Sequence, residues 1–124
     1  MAVPNQVVNL DEKFASFDEK WSPKIVGEFN GTQLKVVKVQ GEFVWHTHGD
    51  ADEFFLVRSG DLTIQMRDRD DVTLGAGEFF IVPKGVEHCP SAQDMCEVLL
   101  LEPVGVVNTG EVSESDLTAA EEWI

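Results

Sequence analysis

The chain has 124 residues, 43% of them apolar, which fits one folded domain with a real core and lacks the Pro or Ser excess of a disordered chain. Nine basic against 23 acidic residues leave a formal net charge of −14, which excludes the basic footprint that nucleic acids and anionic membranes require. No apolar run approaches the roughly 20 residues of a membrane span, and MAVPNQVVNLDEKF lacks the basic start and apolar centre of a secretory leader, so a cytoplasmic protein with Cys89 and Cys96 reduced is expected.

Leu10, Phe14 and Phe17 recur among charges in LDEKFASFD, which predicts a short amphipathic helix at 10–18 ended by the WSP at 21–23. Residues 34–39, LKVVKV, predict a strand that Gly41 breaks. Residues 43–48 predict a second strand, and 53–57 a third that ends at Ser59 and Gly60. Residues 62–66 alternate as a strand does, 68–71 predict a charged turn, and 72–74 lead to Gly75, Ala76 and Gly77. Residues 78–82 predict a strand closed by the turn Pro83-Lys84-Gly85. Residues 98–101 predict a buried strand. Past Glu102, residues 103–105 and 108–110 are loop-like, and 115–123 predict a short terminal helix with Ser115 as its N-cap. Short strands spaced by about ten residues and glycine turns predict an all-β sandwich or barrel. No linker marks off a second domain, so one domain over 1–124 is expected.

The chain holds three histidines. His46 and His48 stand two apart on a predicted strand, so both imidazoles point to one face. Glu53 follows a turn with Gly49 and Asp50, and a strand opening there antiparallel to the first returns its carboxylate beside the rings. His88 stands behind the turn at 83–85. Three imidazoles and one carboxylate suit a first-row divalent metal, whereas the pair alone also reads as a turn that happens to hold histidines. Asp50 and Asp52 read as a solvated turn or as support for a histidine N–H. Cys89 faces away from its neighbour His88 and is not expected to ligate. Cys96 is expected in the core.

In order, Gly41, His46, His48, Glu53 and Gly60, then Gly77, Pro83, Gly85 and His88, resemble the two motifs of the cupin superfamily. The chain departs from that pattern twice. Gly41 and His46 are separated by four residues instead of the usual five, and Ala92 stands where the second motif closes on an asparagine. More narrowly, stretches such as LKVVKVQGEFVWHTH, GEFFIVPKGVEHCP and LLLEPVGVVNTGE resemble small single-domain cupins of the mannose-6-phosphate-isomerase-like class.

The resemblance implies a double-stranded β-helix, or jelly-roll, barrel with its core at about 25–103 and short helical segments at both ends. It implies one divalent transition metal (iron, manganese, nickel or zinc) held by His46, His48, Glu53 and His88. Inward Val44, Phe55 and Val57 would then make an apolar pocket, and outward Phe43, Trp45 and Phe54 a face suited to a homodimer. The preferred activity is dioxygenase-like chemistry on a small organic acid, with Glu53 both ligand and base. The alternative is a non-catalytic protein that uses the metal to anchor a small carboxylate or sugar, or merely to tie strands together. The chain has no tyrosine, which excludes the cupin lyase mechanism that uses one as base. Lys35, Lys38, Arg58 and Lys84 are too scattered to support a sugar-phosphate site.

Overall fold

The structure, a computed structural model, describes residues 6–110 and 117–124. It contains helix α1 (Leu10–Ala15) and strands β1 (Lys24–Phe29), β2 (Thr32–Glu42), β3 (Glu53–Ser59), β4 (Leu62–Met66), β5 (Arg69–Leu74), β6 (Phe79–Val82) and β7 (His88–Pro103). Every strand ladder is antiparallel. The order across the sheet is β1-β2-β7-β3-β6, with β4 joined to both β5 and β7. The long strand β7 is the shared element. Its first residues pair with β4, and its later ones pair with β3 on one edge and β2 on the other. Among the described residues β1, β5 and β6 each have one ladder partner, so the sheet curls into an open jelly roll.

Alternation decides what lies inside. On β3 Glu53, Phe55 and Val57 are buried, and on β7 Val98, Leu100 and Glu102 are. They meet Leu62, Ile64 and Met66 of β4 in the main core. A second core lies outside the sheet, where Phe14 and Phe17 cover Val26 and Val36. Asn9 starts α1 by accepting a hydrogen bond from the Glu12 N–H at 3.0 Å, which satisfies one of the free donors of the first turn.

Five expectations are corrected. Gly41 does not end the strand: β2 runs on to Glu42 through a register shift between Val39 and Gly41, and the φ of +82° there is one glycine adopts freely. Residues 43–48 form no ladder. They touch β7 through the single His46–His88 bridge and the Phe43 N–H on the Pro90 carbonyl. Because the run is irregular, alternation does not carry from His46 back to Phe43. Phe43 is therefore inside, stacked on Trp21 with ring centroids 4.6 Å apart. The charged turn shrinks to Arg67 and Asp68, since Met66 already faces Arg69 across a hairpin and Asp68 tolerates φ +60°.

The fifth correction is the terminal helix. Ser115 lies outside the described residues, and 117–124 hold no helix. Ile25 N–H donates to the Glu122 carbonyl and Ile124 N–H to the Ile25 carbonyl, so 122–124 run beside β1. A short isolated helix does not repay its nucleation cost, whereas a strand edge satisfies the same backbone groups. Lys24, buried, fastens the segment through Glu122 at 2.6 Å, and Gln33 holds Glu121 at 2.8 Å.

Candidate metal centre

The fold gathers the residues singled out from the sequence. His46 and His48 come from the irregular run after β2, Glu53 opens β3, and His88 opens β7. One ligand atom from each lies within 4.8 Å of the others, all four side chains are buried, and together they could hold a metal ion. Glu53 Oε1 is 2.9 Å from His88 Nε2, 3.2 Å from His48 Nε2 and 4.0 Å from His46 Nε2. The backbone bridge between His46 and His88, N···O 3.0 and 2.9 Å, sets two of the rings side by side.

Protonation follows from the outer side of each ring. His46 Nδ1 is 2.9 Å from the Val44 carbonyl, and His88 Nδ1 is 2.9 Å from the Val86 carbonyl. A carbonyl only accepts, so each Nδ1 carries a proton and each Nε2 is turned toward the cluster; His88 Nε2 donates its own proton to Glu53 at 2.9 Å, and a bound cation would take that proton's place. His48 Nε2 is buried without a hydrogen bond of good geometry among the described residues. These are the tautomers and the orphaned donor atom that a bound cation would satisfy. Burial, and next the charge of His88, lower the His46 pKa to about 4, so this ring is neutral at neutral pH. Burial opposes charge on His48 and His88 as well, but the Glu53 carboxylate outweighs it and raises both. Burial likewise opposes the Glu53 charge, yet the His48 imidazole 3.2 Å away and the hydrogen bond from His88 hold its carboxyl well below the usual range.

Beside the cluster lies an apolar cavity of about 30 Å³, counted as space open to the centre of a water, with His46 and Glu53 in its wall. Val39, Phe55, Val98, Leu100, Trp21 and Phe43 supply most of the rest. Trp21 is held at φ +60°, with its indole N–H on the Gln40 carbonyl at 2.9 Å. Phe43 meets the His46 ring edge-on at 5.3 Å. The loop 105–110 covers this end of the fold. Asn108 ties it down by donating to the Trp21 and Leu117 carbonyls and accepting from the Ala119 N–H at 2.9 Å. Residues 108–110, loop-like in the sequence, form a turn that packs across this end of the fold. These contacts gave no motif in the sequence, because they join segments remote in the chain.

Glu102 was passed over in the sequence as a mere end to an apolar run. The ladders place it on the inner face beside Glu53, with Lys35 diagonally across, Nζ to Oε1 3.2 Å. Burial, and next the Glu53 charge, push its carboxyl up to about 8. Other sequence candidates fall outside the cluster. Asp52 accepts from the Lys84 N–H at 2.9 Å and supports the turn, not a histidine. Lys38 donates to the Phe17 carbonyl, Arg58 pairs with Glu97 and Asp11, and Trp45 lies under the Arg67 guanidinium. Cys89 and Cys96 are buried free thiols.

Comparison with known proteins places this geometry. The family model described as a cupin domain matches residues 33–102. The chain is 49% identical to a cupin-2 domain containing protein from Shewanella frigidimarina NCIMB 400, over 78% of this chain and 94% of that one, with TM-score 0.76. It is 33% identical to the uncharacterized protein YdbB of Bacillus subtilis strain 168 over 88 residues, 71% of this chain and 69% of that one. Two hydroquinone 1,2-dioxygenases share the fold alone. That of Sphingomonas sp. TTNP3, solved with 4-hydroxybenzoate bound, is 15% identical over 76% of this chain and 72% of that one, TM-score 0.69. PnpCD, solved with Cd2+ and 4-hydroxybenzonitrile, is 17% identical over 89% of this chain and 74% of that one, TM-score 0.67; solved with Fe3+, it is 17% identical over 82% of this chain and 33% of that one, TM-score 0.71.

Proposed function

The chain belongs to the cupin domain family, and from that premise we propose that His46, His48, Glu53 and His88 bind one divalent transition metal and that the protein is a dioxygenase-like enzyme acting on a small organic acid. The observation that carries the reading is four buried ligand atoms within 4.8 Å of one another, two of the imidazoles fixed by backbone carbonyls, beside an apolar cavity. Iron, manganese, nickel and zinc all suit three imidazoles and a carboxylate. When bound, the ion supplies Lewis acidity and exchangeable coordination positions.

The chain's own residues do the rest. His46 and His88 turn Nε2 toward the cluster by spending Nδ1–H on Val44 and Val86. Phe43, Phe55 and Trp21 exclude water from one side of the cluster. Glu53 Oε1 is the place for a substrate proton, and its low pKa makes it a weak base. Oxygen chemistry, which asks least of a base, therefore fits better than isomerisation or elimination. Among the described residues no lysine or arginine lines the apolar cavity, so a sugar-phosphate isomerase gains no support, and with no tyrosine in the chain neither does the tyrosine-based lyase mechanism. The hydroquinone dioxygenases with Fe3+ or Cd2+ add a precedent for metal on this fold.

One observation favours a second reading, a binding protein without turnover. Besides His46 and Glu53, the polar group in the cavity wall is Asn108, and its amide is already spent on the cover. Metal analysis of protein purified without chelator comes first. A content below about a tenth of an equivalent of any transition metal ends the metal reading. With metal present, oxygen uptake over a panel of small acids and phenols separates enzyme from binder.

The same reading covers assembly and location. Phe54 stacks on Phe79 on the outer face at 5.1 Å, where Phe79 is 58% and Ile81 46% exposed, a patch suited to a homodimer. Light scattering of the F79D/I81D double variant is expected to show monomer where the natural chain shows dimer. Free thiols at Cys89 and Cys96 accord with a cytoplasmic protein, and among the described residues no helix is long and apolar enough to cross a membrane. Residues 1–124 then form one cupin domain.

A further inference from the structure

A second cavity adjoins the first. Pro23 and Asn108 line both, and the second measures about 100 Å³ on the same scale. Its wall includes Lys35, Val106, Ala119 and Glu121. Among the described residues Lys35 is the only lysine or arginine lining either chamber, and it is 6% exposed.

Among the described residues the Lys35 ammonium has two contacts, Glu102 Oε1 at 3.2 Å and the Val106 carbonyl at 3.3 Å. Charge-assisted bonds are normally about 2.7–2.9 Å, so both are slack. An ammonium carries three donors, which leaves one unassigned beside the cavity. Burying a cation so loosely held is costly unless a partner completes its shell. Glu121 does not serve, because its side chain is exposed and its Oε1 accepts from Gln33 at 2.8 Å.

We propose that Lys35 anchors the carboxylate of a small monocarboxylic acid in this second cavity, with the acid's apolar body directed past Pro23 and Asn108 into the first. The placement of that body beside the metal rests on the proposed function; the Lys35 anchor does not. One cation with no arginine fork suits a single carboxylate and not a phosphate, which recruits several donors. In a chain of net charge −14, a local positive centre is what an anionic ligand needs. The apolar first chamber disfavours sugars and polyols, whose hydroxyls would go unpaired there.

Butyrate and butyramide are matched probes that differ in charge. Calorimetry on the protein as purified and on metal-stripped protein is expected to show butyrate binding about tenfold tighter than butyramide or better, in both forms. Lys35→Gln is expected to erase that preference while metal content stays unchanged, and Lys35→Arg to retain part of it. Equal binding of the two probes by the natural chain overturns the proposal, as does a Lys35→Gln variant that keeps the preference. If Lys35→Gln does not fold, amide shifts on butyrate addition to the natural chain decide. Shifts centred on Lys35, Val106 and Ala119 uphold the anchor, and shifts confined elsewhere overturn it. Failure of the metal reading is seen separately, as protein that holds no metal yet still prefers butyrate.

Discussion

Replacing Gly110 by alanine is expected to damage both the fold and the candidate site. Gly110 sits at φ +60°, and a Cβ built there lies 2.3 Å from the Thr47 carbonyl oxygen, 3.0 Å from the Thr47 carbonyl carbon and 3.3 Å from His46 Cδ2. Real Cβ contacts are essentially never under 3.0 Å, so backbone must move by about 0.7 Å. The left-handed conformation costs about 1–2 kcal/mol for a side chain, and overpacking adds about 1–3 kcal/mol. The sum, about 2–5 kcal/mol, is a large part of the 5–15 kcal/mol typical of a domain. Gly105 is the control. Its φ is +90° and nothing lies within 4 Å of its Cβ, so Gly105→Ala carries the backbone cost alone. Urea unfolding of both variants, at unchanged slope, isolates the packing cost as the difference between them. Metal affinity should also fall in Gly110→Ala, because Thr47 cannot move without its neighbours His46 and His48. A Gly110→Ala variant no less stable than Gly105→Ala would refute the packing of residues 107–110 over the site.

Glu53→Gln should lower metal affinity by about a hundredfold or more while far-UV circular dichroism stays unchanged; undiminished metal in elemental analysis sinks the ligand assignment. Glu102 should make metal-free protein less stable as pH rises. Its carboxyl pKa is raised from the ordinary 4.5 to about 8 by burial and then by Glu53. Between those values the folded state holds the proton more tightly than the unfolded chain, so the contribution is full below 4.5 and lost as pH rises through about 8. Urea midpoints across this window should fall less steeply for Glu102→Gln, and parallel curves would contradict the assignment. Burial pushes both thiols up to about 11, with nearby carboxylates adding to it, and both cysteines are 0% exposed. A thiol reagent at neutral pH should therefore leave the folded protein untouched and label Cys89 and Cys96 once it is unfolded. Rapid labelling of the native chain would show that the core opens.

Much of this protein is local in origin and so is legible along the chain. Alternation in residues 53–57 and 62–66 places Glu53, Phe55, Leu62 and Ile64 inside, because a strand's period of two fixes which side chains share a face. The turn at 83–85 and the tight link before Glu53 depend on their own Gly, Pro and Asp residues. His46, His48, Glu53 and His88 could be picked out for the same reason: each stands next to a turn that aims it.

What escaped the sequence is whatever depends on a distant partner. Phe43 turns inward because Trp21 is there to stack on it. Residues 122–124 run beside β1 because its edge pairs with them, and Asn108 holds Leu117 and Ala119, where the local pattern alone suggested a helix. Glu102 reads as an interruption until the β2–β7 and β3–β7 registers bring Lys35 and Glu53 beside it. The chain's short-range pattern thus determined most of the strands and turns and singled out the four residues of the candidate site. Tertiary structure alone decided their burial, their protonation and the shape of the two adjoining chambers, because desolvation and charge coupling act through space between segments that are far apart in the chain.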